Sequence, residues 1–174
     1  MRALGPGSVS SFLKIILDVV FAALWISLGA LALVLLAALL FSFNPDLIPT
    51  VMSSDVAQVA SRGPVIAFIL LAFMLFVGGV LVIVDALRRI FTTLTAGDPF
   101  HPRNVQRLRL IGVMLGALEV WRYAIWWLGP MMPWMKREDT DFNITAWFSV
   151  FVVFVLAEVF REGARLRREA ELTI

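Results

Sequence analysis

The chain has 174 residues, 60% of them hydrophobic and 16% charged, against about half apolar and about a quarter charged in a soluble domain. The excess lies in long runs, which excludes an ordinary soluble domain and points to a membrane protein. A net charge of +2 argues against direct binding of nucleic acid, and the lack of cysteine excludes disulfides, thiolate metal sites and a cysteine nucleophile.

Residues 1–13 read as a short tail with Gly, Pro and Ser, loosely ordered to about Ser10. Lys14 and Asp18 then flank the apolar run 19–41, so a first span is expected over about 15–41. The competing reading, a signal peptide, fits less well: the apolar part is too long and Asp18 is badly placed for it. Residues 42–63, punctuated by Pro45 and Pro49, are a mildly acidic loop in which 53–60 can form a short interfacial helix capped by Ser54. A second span follows over about 64–88, with helix continuing to about Leu94.

Gly97-Asp98-Pro99 is a stop-and-turn signal, and Pro102 suits the first turn of a new helix, where its missing N–H has no partner to lose. The third span is placed at about 106–128, entering lipid near Leu110 and ending before Gly129-Pro130. A loop runs to about Asp141, and a shorter fourth span covers about 142–160. A charged helix, about 158–172, completes the chain. The expected architecture is all-α: one domain, 1–174, forming an integral membrane four-helix bundle with a cytoplasmic hairpin at 89–105 and a cytoplasmic C-terminal helical extension. Irregular backbone inside lipid is not expected, because each unsatisfied amide there costs about several kcal/mol.

Four spans put both termini and the 87–112 segment on one side. That side carries Arg2, Lys14, Arg88, Arg89, Arg103, Arg107, Arg109, Arg161, Arg165, Arg167 and Arg168, while the other carries Arg62, Lys136 and Arg137. The positive-inside rule makes the first side cytoplasmic. Trp126, Trp127, Trp134 and Trp147 near the opposite boundary fit an interfacial belt.

Glu119 and Arg122 fall near mid-membrane, three residues apart on one helix surface. They read as a mutually satisfied pair that fixes packing, as a proton or ligand site, or as partners for charges on another subunit. Gly112 and Gly116 share a face with Glu119, and small residues at this spacing let helices approach closely. Gly78 and Asp85, seven apart, give the second span a comparable face. Near the cytoplasmic boundary lie Lys14, Asp18, Asp85, Arg88, Arg89, Glu158 and Arg161, each acid with a base three or four residues away on its own helix. They read as a paired, snorkelling rim or as an anchor for anionic lipid head groups.

His101, the single histidine, has no partners at metal-ligand spacing and reads as a helix-entry residue before Pro102. Ser53 and Ser54 lack a partner histidine, and no phosphate-cradling glycine loop is present. No catalytic residue, metal or cofactor is expected, and the chain does not read as an enzyme. In the C-terminal helix, Val159, Gly163, Leu166 and Ala170 repeat at helical spacing. Glu162/Arg165, Arg165/Glu169, Arg167/Glu171 and Arg168/Glu171 are possible intrahelical pairs. The helix can be a solvated end, pack on the 87–112 hairpin, or meet a partner protein.

Gly97-Asp98-Pro99-Phe100-His101-Pro102, with Asn104 two positions on and Arg107 after it, together with the ending Glu171-Leu172-Thr173-Ile174, resembles a family of small bacterial membrane proteins of unknown function. Its members have four spans, a GDPFHPxN-type cytoplasmic loop and an acidic-Leu-Thr-Val or -Ile end, with Val commoner than the Ile174 found here. The resemblance implies a bacterial inner-membrane protein. It also implies a link to a small helix-turn-helix regulator of the Xre/Cro type, often encoded beside such proteins, held or released by the membrane partner.

Three functions are therefore expected in order. The first is a non-enzymatic regulatory or scaffold module that binds a cytoplasmic protein through the 87–112 hairpin and the C-terminal helix. The second is an accessory subunit of a larger membrane complex. The third is a small transporter or proton-coupled channel using Glu119 and Arg122.

Overall fold

A computed structural model describes residues 9–43, 63–128 and 142–172. Four helices account for nearly all of them: α1 (Val9–Phe43), α2 (Gly63–Thr95), α3 (Pro102–Leu128) and α4 (Ile144–Glu171). No strand occurs among the described residues. The expected loop helix at 53–60, the 129–141 loop with Lys136, Arg137 and Trp134, and the side chain of Glu171 lie outside them.

The helices are longer than the expected spans. At about 1.5 Å per residue, α1 and α2 each extend about 50 Å, against a hydrocarbon core of roughly 30 Å. Within the expected hairpin at 89–105, α2 stays helical through Thr95 and α3 starts at Pro102, close to the expected helix end near Leu94 and the expected start at Pro102, which leaves 96–101 as the connection. The fourth span and the charged helix are a single unbroken element, α4. Asn143 caps its start, with its side-chain oxygen accepting from the Ala146 N–H at 3.1 Å.

Among the described residues, three helices are long and apolar enough to cross a membrane, over Phe12–Leu40, Val65–Thr95 and Ile144–Ala170. The third helix has the length but not the apolarity. Glu119, Arg122 and its tryptophans lower the hydropathy of the stretch that would lie in lipid.

The chain divides into two compact units, Ala22–Gly78 and Met1–Phe21 with Gly79–Ile174. Within Ala22–Gly78, Gly63 lies so close to Ser42 that an added Cβ would stand 2.5 Å from the serine Cβ. Ala67 and Val77 are buried there, while Ile26, Leu33 and Phe43 are largely exposed. Such an apolar exterior suits lipid rather than water.

The larger unit holds the core. Ala86 and Ile90 of α2 meet Ile111 of α3, and Ile83, Leu87, Leu94, Leu108, Leu115 and Val153 pack around them. The α2 members recur every three to four residues, so they form one stripe along the helix. Helices α3 and α4 run antiparallel along their length. Arg109 faces Glu158 at 3.8 Å, Gly112 faces the Phe154 ring, and Tyr123 stacks on Phe142 with centroids 6.4 Å apart. Two glycines make close approaches possible: a Cβ on Gly112 would stand 3.1 Å from Phe154, and one on Gly79 would stand 2.7 Å from Leu118. By contrast, Gly78 and Gly116 have open space at that position. The expected packing face therefore holds at Gly112 and not at Gly116, and on α2 the close glycine is Gly79 rather than Gly78.

Candidate functional site

The connection between α2 and α3 begins with a glycine in the left-handed region, Gly97 at φ 84°. The Gly97 N–H donates to the Leu94 carbonyl at 3.1 Å and the Asp98 N–H to the Thr93 carbonyl at 3.0 Å. This is a Schellman ending, in which the backbone turns back and satisfies the last carbonyls of the helix. The next helix opens at His101, whose Nδ1 accepts from the Arg103 N–H at 3.2 Å. His101 is thus the helix-entry residue expected from its position, with Pro102 beginning α3.

Asn104 ties the two helix ends together and has no exposed surface. Its amide nitrogen donates to Thr93 Oγ1 at 2.7 Å and to the Pro99 carbonyl at 3.1 Å. Its oxygen accepts from Arg107 Nη1 at 3.0 Å, and the same Nη1 donates to the Arg89 carbonyl at 2.9 Å. Thr93 Oγ1 in turn donates a hydrogen bond to the Ile90 carbonyl at 2.7 Å. A buried amide satisfied on both ends rigidifies such a turn, and removing it would leave several groups unpaired.

The remaining loop residues reach α4. Asp98 accepts from Arg167 Nη1 at 2.5 Å. Phe100 lies against Phe160, ring centroids 5.7 Å apart, and over Gly163, where an added Cβ would stand 2.5 Å from the ring. Ala157 and Ala164 are buried on the same side of α4. The C-terminal helix therefore docks on the hairpin, the second of the three arrangements its sequence allows. The face it uses is 157, 160, 164 and 167, with Gly163 at the closest point. In the expected stripe Val159, Leu166 and Ala170 stay exposed, and only Gly163 takes part. Arg167 pairs with Asp98, and the side chain of Glu171 lies outside the described residues. The Glu162/Arg165 and Arg165/Glu169 pairs form as expected, at 3.0 and 3.3 Å.

The boundary charges form a second cluster. Asp18 pairs across helices with Arg88 at 2.6 Å rather than with Lys14 on its own helix, and the Arg88 guanidinium sits 4.0 Å from the centre of the Phe21 ring. Asp85 pairs with Arg89 at 2.7 Å along α2, and Glu158 with Arg161 along α4. Glu119 and Arg122 form a two-pronged pair: Arg122 Nη2 and Nε donate to the two carboxylate oxygens at 2.5 and 3.2 Å. Glu119 is buried, and the guanidinium also lies 4.7 Å from the centre of the Tyr123 ring.

Sequence reasoning misses Thr93, Gly79 and Phe154 because each matters only through a neighbour on another helix. No His, Cys, Asp and Glu cluster suited to a metal occurs among the described residues. Residues 49–174 match the family described as a protein of unknown function (DUF2975), in agreement with the resemblance to a family without assigned function. That stretch contains α2, α3 and α4 with the turn between the first two. No curated protein and no solved structure matches the chain.

Proposed function

The chain belongs to the DUF2975 family of proteins of unknown function, and from that premise we propose that it is a non-enzymatic, multi-pass protein of the bacterial inner membrane that binds a cytoplasmic protein. The binding surface is the 96–101 turn together with the C-terminal part of α4. The observation that carries this reading is their union: Asp98 holds Arg167, and Phe100 seats on Gly163. Two segments far apart in sequence thereby form one preformed surface, so little ordering entropy opposes a partner. The helix-turn-helix regulator implied by the family resemblance is the partner class.

The test is capture from native membranes with the tagged full chain. The intact protein should retain a soluble partner that Asp98→Arg loses, and Asp98→Arg with Arg167→Asp should recover it. Equal capture by all three would contradict the proposal.

An accessory-subunit role is the second reading. Open space at Gly116, beside the buried Glu119, favours it, since a helix from another subunit could approach there.

A further inference from the structure

A cleft of about 370 Å³ lies between α1 and α2, lined by Lys14, Asp18, Asp85, Arg88, Arg89 and Thr92. Its charges are mixed in sign and spoken for to different degrees. Arg88 is fixed by Asp18 and by the Phe21 ring. Arg89 uses Nε on Asp85 while its side chain stays 63% exposed, which leaves the terminal N–H groups to another acceptor. Lys14 has no ion pair among the described residues. The second oxygens of the two carboxylates can still accept. So can Thr92 Oγ1, whose proton goes to the Arg88 carbonyl.

We propose that this cleft binds the phosphoethanolamine head group of a membrane lipid. The phosphate meets Lys14 and the free edge of Arg89. The ammonium meets Asp85, Asp18 and Thr92. A head group bearing only negative charge would bring no cation to the two carboxylates. A quaternary amine would offer charge but no N–H. The lipid source follows from the neighbouring surface. Phe12, Ile15, Ile16 and Val19 are exposed on the same turns of α1 that carry Lys14 and Asp18, so the cleft lies at the level of an apolar surface that suits acyl chains. The inference needs only a membrane setting and stands apart from the cytoplasmic-partner proposal.

Native mass spectrometry of the full chain in detergent tests it, with phosphatidylethanolamine, phosphatidylglycerol or phosphatidylcholine added singly. The ethanolamine lipid should be retained at least threefold over the other two. Lys14→Ala and Asp85→Asn should each reduce that retention threefold or more, with helix content unchanged by circular dichroism. Lys14→Met, which keeps the apolar stem, replaces the alanine variant if folding suffers. Free phosphoethanolamine should fail to displace the lipid at equal concentration. Equal retention of the three lipids, retention unaffected by the variants, or full displacement by the free head group would each overturn the assignment.

Discussion

Asn104 is buried and forms three side-chain hydrogen bonds across the helix junction. Asn104→Ala would strand Thr93, the Pro99 carbonyl and part of Arg107, at a cost of about 2 kcal/mol. The detergent-solubilised variant should melt several degrees lower, and a melting point equal to the parent's would contradict this role. Glycines give a sharper contrast. Gly163→Ala drives a methyl into Phe100 and should cost about 1–3 kcal/mol, whereas Gly116→Ala enters open space and should leave the melting point unchanged. Glu119→Gln leaves the Arg122 guanidinium one acceptor oxygen and no opposing charge and should lower thermal stability, and adding Arg122→Gln should recover most of the loss. A pair that serves packing predicts no change in ion or solute flux in any of these variants; a flux lost with Glu119→Gln would favour the transport reading instead.

Helix α3 is the element on which the membrane topology depends. Its own hydropathy does not mark it as a span, yet it runs beside α4 from Arg109 opposite Glu158 to Tyr123 against Phe142. If α4 crosses the bilayer, the helix packed along it crosses as well, and the Glu119–Arg122 pair is what makes the crossing tolerable. Truncation after Ala164 removes Arg167, which should release Asp98 and make the 96–101 turn more sensitive to protease, while the helix content of the rest persists. An unchanged cleavage rate would show that the docked helix does not shield the turn. Much of this element-level picture is legible in the sequence. Gly97 needs a left-handed backbone, Pro102 needs a first-turn position, and apolar runs need lipid; each is a local requirement written in one or two residues. The C-terminal helix is read less well. Val159, Leu166 and Ala170 make a plausible stripe, but the packed face is decided by Phe100, which selects Gly163 from another element. Gly79 is missed for the same reason: whether a glycine is a contact point depends on how its helix is rotated toward Leu118, which spacing alone leaves open.

At the scale of the molecule, the account is a threading in which four crossings return the basic end of every helix to the cytoplasmic side. The arginine bias supports it, and so does the Asp98–Arg167 pair, which requires the turn and the end of α4 to lie on the same side of the bilayer. Three crossings would separate them and leave no composite surface for a partner. Because the chain has no cysteine, single cysteines introduced at Arg103 and at Leu172 report this directly through a membrane-impermeant maleimide. The account predicts that both stay unlabelled in intact spheroplasts and both label in inverted membrane vesicles. Labelling of Leu172→Cys from the outside, with Arg103→Cys still labelled only from the inside, would contradict it.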